Sequence, residues 1–214
     1  MTDFDSRAQT WDSDPMKVER AAKVAEAIRA ALPLQPGMTA LEVGCGTGLL
    51  SFALQSDFAH LTLADTSEGM LDVLTAKIAE SGVRNMTPLN LDLTSDPAPV
   101  SRFDVTYSLM TLHHIPNIDH ILRQFHALLK PGGWLAIADL DAEDGTFHTD
   151  GTTDVHLGFE RAALQKQVES AGFGEVKFST PYIITKKIGE TEKSFPVFLL
   201  IARKPVLENL GRKP

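Results

Sequence analysis

The sequence predicts an α/β domain in which helices cover both faces of a doubly wound, mostly parallel sheet. Three observations carry this prediction. An apolar run breaks into a glycine-rich turn at Leu41 to Gly48, LEVGCGTG, and a helix-like pattern follows it. Strand-like and helix-like segments then alternate through Leu140, which implies right-handed parallel crossovers. Two further strand-like segments give the chain a hairpin-like ending.

The composition fits one large domain with a well-buried core. The chain has 214 residues, of which 43% are hydrophobic, and a formal net charge of −8. No apolar run approaches the ~18 residues of a membrane span, and the polar N-terminus does not resemble a signal peptide. The single cysteine excludes an internal disulfide framework and fits a reducing cytoplasm. Basic residues are scattered rather than massed, which argues against a nucleic-acid partner.

The first predicted element is a helix that opens the chain's ordered part. Ser13-Asp14-Pro15 supplies a capping side chain and a proline at the first helical turn. Apolar residues then recur at helical spacing until Pro33 and Pro36-Gly37 end the pattern. We therefore treat residues 1–35 as an N-terminal segment that packs on a core domain of residues 36–204.

The glycine-rich turn is the first feature that predicts a ligand site. A strand at Ala40 to Val43 leads into Gly44, Gly46 and Gly48, and a helix begins after them. This geometry presents free backbone N–H groups to a ligand, and glycine permits its close approach. A second short strand, His60 to Asp65, ends in an acid where such folds place a carboxylate for ribose hydroxyls.

The rest of the chain supplies the remaining elements. Helices are predicted at residues 67–81, 117–130 and 158–171, and strands at residues 86–93, 103–110, 134–140, 175–185 and 195–203. Pro88 predicts that the third strand lies at a sheet edge or is only beginning there. Lys130-Pro131-Gly132-Gly133 is expected to cap and end its helix. Residues 141–157 are expected to form a loop over the active site, residues 186–194 a polar, mobile loop, and residues 205–214 a tail.

Two motifs resemble those of a known family. The G-x-G-x-G spacing in LEVGCGTG, and the segment LLKPGGWLAIAD, look like motifs of class I S-adenosylmethionine-dependent methyltransferases. The resemblance covers roughly Trp11 to Lys204 and is closest to the small-molecule branch related to ubiquinone/menaquinone-biosynthesis C-methyltransferases. It implies a Rossmann-like, seven-stranded sheet with an antiparallel last strand, the cofactor S-adenosyl-L-methionine and a small-molecule methyl acceptor. No lysine or arginine lies within the cofactor motifs, which suits a sulfonium better than a pyrophosphate.

The resemblance also implies roles for the residues that match the motifs. The glycine backbone would hold the methionine part of the cofactor, Asp65 the ribose hydroxyls, and Asp92 with Leu93 the adenine. Glu42 would support the glycine loop. The alternative for Asp92 is an ordinary turn acid before Thr94. The predicted cofactor-binding set is Glu42, Gly44, Cys45, Gly46, Gly48, Asp65, Thr66, Met70, Asp92, Leu93 and Ser108.

His113 and His114 are the candidates for catalysis on the acceptor side. They follow the fourth strand, and an imidazole there could act as a general base if the acceptor must lose a proton. The alternative is that both are structural histidines. Trp11, Phe147 and His148 are candidates for a lid or substrate wall, although Trp11 could instead staple the first helix to the domain.

A metal site is a further alternative on this side. Asp139, Asp141, His148 and His156 carry suitable ligand atoms, but their spacing matches no ligand pattern. We therefore expect no metal.

Two other functions stay open from the sequence. A nicotinamide-dependent oxidoreductase would need glycine or alanine at position 49 for the fingerprint G-x-G-x-x-G, where Leu49 stands. A cofactor-binding protein without turnover would keep the same motifs. The chain is expected to act in the cytoplasm as a monomer or homodimer on a small molecule, without nucleic acid or stable membrane insertion.

Overall fold

The structure is a computed structural model that describes residues 3–96, 100, 102–148 and 155–206. The strands are β1 Thr39–Val43, β2 His60–Asp65, β3 Met86–Asn90, β4 Phe103–Leu109, β5 Leu129–Leu140, β6 Gly174–Ile188 and β7 Thr191–Arg203. The α-helices of the described residues are α1 Asp3–Arg7, α2 Pro15–Ala31, α3 Leu49–Leu54, α4 Glu68–Ser81, α5 Ile118–Leu128 and α6 Arg161–Ser170. Short 3-10 helices lie at Ala8–Ser13, Gln55–Asp57 and Leu112–His114.

The strands form one seven-stranded sheet in the order β3-β2-β1-β4-β5-β7-β6. The pairs from β3 to β5 are parallel, and β7 is antiparallel to both of its neighbours. The predicted sheet and its antiparallel last strand are confirmed. Strand order reverses between β1 and β4, which is where open α/β sheets form a ligand crevice.

Helices cover both faces of the sheet, as predicted. One buried layer joins the sheet to α2, α3 and α4 through side chains such as Val24, Leu50 and Leu74. The other joins it to α5 and α6 through side chains such as Phe125 and Leu164. Both layers position the strand ends that form the candidate site.

The predicted start of α2 is confirmed, and α4 also begins with a side-chain cap. The Asp14 carboxylate accepts a hydrogen bond from the Met16 N–H at 3.0 Å, and Pro15 is the first residue of α2. The Ser67 hydroxyl accepts one from the Met70 N–H at 3.2 Å and caps α4. Pro88 lies in β3, which is an edge strand, so its missing N–H costs the sheet no bond.

The predicted loop at residues 186–194 is wrong. The chain there continues the two last strands, with Lys186 paired to Lys193 and Ile188 to Thr191, and turns at Gly189. A two-stranded ribbon is held by backbone hydrogen bonds, so polar side chains do not end it. Hydrophobic patterning therefore could not locate the hairpin's tip.

The predicted cap at Lys130 to Gly133 is also wrong. Helix α5 ends at Leu128, and Leu129 already pairs with Phe103 as the first residue of β5. The pairing then shifts so that Trp134 lies beside Val105, and the residues between them bulge from the ladder. The glycines serve that bulge: a Cβ on Gly133 would lie 2.9 Å from the Lys130 carbonyl oxygen.

Several boundaries move by a few residues. β3 ends at Asn90, so Asp92 lies in the following turn, and β4 ends at Leu109 because Met110 has a φ of 55°. α6 begins at Arg161 rather than at Gly158. Residues 149–154 of the predicted active-site loop and residues 207–214 of the predicted tail lie outside the described residues. Within the described part of the chain, no helix combines the length and apolar character needed to cross a membrane.

Candidate active site

A cavity of about 710 Å³ opens at the carboxyl ends of the central strands. Most of the predicted site residues line it: Glu42, Gly44, Cys45, Gly46, Asp65, Thr66, Met70, Asp92, Leu93, Trp11, His113, His114, Phe147 and His148. Gly48 and Ser108 do not. Ser108 is buried in β4, one residue before the lining residue Leu109. The volume is that of a site for small molecules.

The glycine loop takes backbone conformations that side chains rarely adopt. Gly44, Gly46 and Gly48 have φ values of 68°, 52° and 79°. A Cβ on Gly44 would clash with the Thr111 side chain, whereas Gly46 is open toward Met70 and Trp11. A Cβ on Gly48 would lie 2.7 Å from Leu74 Cδ1, so this glycine serves packing at the start of α3. The bare backbone that faces the cavity is therefore that of Gly44 and Gly46.

Asp65 ties the end of β2 to the glycine loop. Its carboxylate accepts hydrogen bonds from the Gly46 N–H at 2.6 Å and the Ser67 N–H at 2.9 Å. Burial raises the pKa of Asp65, and these backbone donors oppose that rise. The loop and the carboxylate consequently form one preorganised wall of the cavity.

Glu42 lies below the glycine loop and is almost inaccessible to solvent. Its carboxyl group is hydrogen-bonded to the Ser51 hydroxyl, which contacts the Tyr107 hydroxyl at 2.6 Å. Burial raises the pKa of Glu42 from its ordinary 4.5 to about 8, and the negative charge of Asp65 adds to the rise. Glu42 is therefore protonated at neutral pH in the protein alone.

This raised pKa predicts a dependence of stability on pH. Between pH 4.5 and 8 the unfolded chain loses the Glu42 proton and the folded protein keeps it, so stability falls as pH rises. We expect Glu42→Gln to remove a slope of up to about 1.4 kcal/mol per pH unit. Urea unfolding at several pH values measures it, with Glu80→Gln on the exposed face of α4 as the control. Parallel slopes in the wild type and Glu42→Gln would refute the assignment.

Asp92 occupies a turn at the edge of the cavity. Its carboxylate accepts hydrogen bonds from the Thr94 N–H at 2.8 Å, the Thr94 hydroxyl at 2.6 Å and the Ser95 hydroxyl at 3.1 Å. The Thr94 hydroxyl bond is the main cause that lowers the pKa of Asp92. The turn role is thus present in the structure, and contact with adenine remains a prediction.

A buried His113–Asp139 pair faces the acceptor side. His113 Nδ1 lies 2.6 Å from Asp139 Oδ1, and both residues are almost fully buried. Burial alone would raise the pKa of Asp139, but the His113 charge and hydrogen bond, with the Leu140 and His113 N–H groups, lower it overall. Because an ionised carboxylate only accepts hydrogen bonds, Nδ1 carries the proton. In the neutral ring, Nε2 is then the nitrogen that can accept a proton.

His114 and His148 complete a cluster of imidazoles with His113. The ring centroids lie 4.1 Å (His113–His114), 5.3 Å (His113–His148) and 5.5 Å (His114–His148) apart, and one nitrogen of each lies within 4.8 Å of the others. Among the described residues, this group could hold a metal ion. The ligand set considered from the sequence is not assembled. Asp141 pairs with Arg161 at 2.6 Å, and the His156 ring contacts the Ile115 carbonyl at 3.0 Å.

The N-terminal segment packs over the mouth of the cavity. The Asp5 carboxylate accepts hydrogen bonds from the Ser67 hydroxyl at 2.6 Å and the Gly69 N–H at 3.1 Å. Phe4 contacts both Trp11 and His114 edge-on, with centroids 6.0 and 5.2 Å apart. Trp11 therefore forms part of the cavity wall, and the covering segment includes α1, which sequence patterning did not predict.

Sequence reasoning also missed residues that belong to the site. They are Phe4, Arg7, Asp14, Lys17, Arg20, Thr111, Ile184 and Lys186 as lining residues, and Asp139 as the partner of His113. Of these residues, Asp139 alone had a local sequence signal, which was its position near the end of a predicted strand. The others come from segments that the fold brings to the cavity from far along the chain.

Comparison with known proteins agrees with this fold. Residues 41–135 match the family model described as a methyltransferase domain. The ubiquinone biosynthesis O-methyltransferase of Marinobacter nauticus is 34% identical over 114 residues, which are 52% of this chain and 48% of that protein. The demethylmenaquinone methyltransferase of Listeria monocytogenes is 32% identical over 132 residues, 60% of this chain and 50% of that protein.

A solved structure matches almost the whole chain. The S-adenosylmethionine-dependent methyltransferase from Aquifex aeolicus superposes with a TM-score of 0.65 at 21% identity, over 94% of this chain and 98% of that one. This likeness concerns the fold. The chain spans about half the length of the two curated relatives. Residues 41–135 are thus similar to a methyltransferase domain, and the chain shares the fold of the Aquifex S-adenosylmethionine-dependent methyltransferase.

Proposed function

We propose that the protein transfers the methyl group of S-adenosylmethionine to a small-molecule acceptor. One observation carries the proposal: the glycine loop with Asp65 and the His113–Asp139 pair face the same cavity. The first set would hold the cofactor and the second would meet the acceptor. When bound, the cofactor supplies an activated methyl group whose carbon–sulfur bond breaks as the acceptor attacks.

The residues of the cofactor wall fit a positively charged sulfonium. Asp65 and Asp92 place carboxyl groups on this wall, and the bare backbone of Gly44 and Gly46 permits close approach. Asp65 would bind the ribose hydroxyls, Asp92 and Leu93 the adenine, and the backbone of the glycine loop would lie against the methionine part. Cys45, Thr66 and Met70 line the same wall and would exclude water.

The acceptor is proposed to be a small molecule that loses a proton as it is methylated. The neutral imidazole of His113 would take that proton at Nε2, while Asp139 fixes the ring and stabilises the resulting positive charge. The Marinobacter relative is named for O-methylation in ubiquinone biosynthesis, which favours a hydroxyl group on a ring as the acceptor. Phe147 and His148 would contact the acceptor, so their substitution should affect its affinity more than that of the cofactor.

The first test is selective binding of the cofactor. A hundredfold excess of S-adenosylhomocysteine over its dissociation constant should stabilise the folded protein by about 2.7 kcal/mol. For a chain of this length the melting temperature should rise by roughly 5–10 °C. NAD and NADP should leave it unchanged. A shift with NAD and none with S-adenosylhomocysteine would favour the oxidoreductase alternative instead.

The second test separates an enzyme from a cofactor-binding protein. Release of S-adenosylhomocysteine should depend on both the protein and an added acceptor, such as a hydroxylated benzoate or quinol. Binding of the cofactor with no turnover over a broad panel of such acceptors would support the non-catalytic alternative.

A further inference from the structure

Arg20 places a guanidinium at the cavity with an unused buried donor. It lies in α2 and lines the cavity. Its Nε atom is inaccessible to solvent, and the described residues offer it no hydrogen-bond acceptor. A buried donor without an acceptor costs free energy, and such groups commonly mark the position of a ligand or ion.

The charges around the cavity are divided between its two halves. The acids Asp65 and Asp92 belong to the end of β2 and to the turn after β3, whereas the one lining acid of the described N-terminal segment, Asp14, is paired with Lys17. The basic lining residues come from the N-terminal segment and from β6: Arg7, Lys17, Arg20 and Lys186. Because β3, β2 and β1 lie on one side of the strand-order reversal and β4 to β6 on the other, the basic side chain of β6 borders the acceptor half.

Two other basic residues that line the cavity already have acceptors in the protein. Lys17 pairs with Asp14 at 2.9 Å, and Lys186 donates to the Phe147 carbonyl oxygen at 2.9 Å. Arg20 differs because its nearest carboxylates act on it only through space. Burial lowers the pKa of Arg20, and the charges of Asp139 and Asp14 raise it. An arginine keeps its proton under such conditions, so a positive charge faces the cavity.

The position of Arg20 relates it to the proton acceptor. Asp139 interacts electrostatically with Arg20 and is hydrogen-bonded to His113. Because Arg20 and His113 line the same cavity, a molecule whose proton passes to His113 lies in the cavity that Arg20 faces. A guanidinium presents a planar fork of donors that matches the oxygens of a carboxylate or phosphate.

We propose that Arg20 binds an anionic group, a carboxylate or a phosphate, on the methyl acceptor. The inference rests on the proposed function insofar as it calls the bound molecule the acceptor, and it extends that function to anionic substrates. The same charge would also stabilise an acceptor that becomes more negative as its proton leaves. The competing role is that Arg20 serves only as a counter-ion for the buried Asp139.

Small aromatic probes test the proposal without knowledge of the natural acceptor. Benzoate and phenyl phosphate carry the two anionic groups on a ring, and benzamide is the neutral match for benzoate. Each is titrated calorimetrically into the wild-type protein, with and without S-adenosylhomocysteine. We expect at least one anion to bind ten or more times more tightly than benzamide. The anion that binds more tightly indicates whether the group is a carboxylate or a phosphate.

Substitutions on α2 then assign the preference to Arg20. Arg20→Gln should weaken binding of that anion by about 10- to 100-fold, the usual effect of losing charge-assisted hydrogen bonds. Arg20→Lys should retain part of the affinity, since the charge remains but the fork is lost. Lys23→Gln is the matched control, because Lys23 is exposed on the same helix and pairs with Glu26. It should leave binding unchanged.

Three results would overturn the proposal. They are equal affinity for benzoate and benzamide with no preference for phenyl phosphate, failure of both anions to bind, or undiminished anion binding by folded Arg20→Gln. A lower melting temperature with an intact anion preference would assign Arg20 to the counter-ion role. If Arg20→Gln does not fold, Arg20→Lys decides. Failure of the wild-type protein to bind S-adenosylhomocysteine would instead count against the proposed function. The anion titrations are also run without this cofactor product, so the two failures can be told apart.

Discussion

Replacing His113 with asparagine is expected to lower kcat by about 10²–10⁴ while S-adenosylhomocysteine affinity stays within a few-fold. The physical reason is the fixed tautomer of His113. Asp139 holds the Nδ1 proton at 2.6 Å, which leaves Nε2 as the proton acceptor. Without it the acceptor must release its proton to water in a site that excludes water.

Asparagine is the informative substitution because Asp139 is buried. His113→Ala would leave that carboxylate without its main partner and could cost about 3–5 kcal/mol of stability. The asparagine amide can still donate to Asp139 but cannot take a proton. Asp139→Asn is the converse variant, since it removes the charge that fixes the tautomer and should also lower kcat with little change in cofactor affinity.

His114→Ala separates catalysis from packing. His114 contacts Phe4 edge-on and packs against the His113 ring. If His114 is instead the base assigned from the sequence, this variant rather than His113→Asn should lose turnover. Rates per folded molecule, cofactor affinity and melting temperature are measured on the same preparations. Full turnover in both His113→Asn and His114→Ala would exclude either of these histidines as the base.

The cofactor wall could be predicted from the sequence because its signals are local. A glycine turn between a strand and a helix, and an acid at the end of the next strand, are each encoded within a few neighbouring residues. Parallel strands then bring Gly44 and Asp65 to the same edge without further information, since the register between β1 and β2 follows from the crossover. The predicted helix cap before Pro15 succeeded for the same reason.

The acceptor half could not be predicted in this way because its contacts join distant segments. His113 follows β4 and Asp139 lies in β5, and their pairing depends on the register of β4 against β5. Arg20 is one of the polar residues between the apolar positions of α2. The helical pattern predicts α2 correctly but does not show that Arg20 faces the cavity. The predictions for the hairpin at Lys186 and the bulge at Gly133 failed for a related reason. Backbone pairing stabilises both features, and side-chain patterns do not record backbone pairing.

Replacing Asp65 with alanine is expected to weaken cofactor binding by about 10²–10⁴. Two charge-assisted hydrogen bonds to ribose would be lost, each contributing roughly 1.5–3 kcal/mol. The carboxylate also fixes the glycine loop through the Gly46 N–H, so the methionine part of the cofactor would meet a less ordered wall. Calorimetric titration with S-adenosylhomocysteine measures the combined effect.

The fold should survive this substitution, which is what separates a binding role from a structural one. Burial raises the pKa of Asp65, so its ionised form costs the folded protein stability as pH rises above the usual range of a carboxyl group. Removing the charge offsets the loss of the hydrogen bonds from Gly46 and Ser67. Asp72→Ala, on the exposed face of α4, is the control and should alter neither property. If Asp65→Ala lowers the melting temperature sharply while its folded fraction binds normally, Asp65 serves the loop alone.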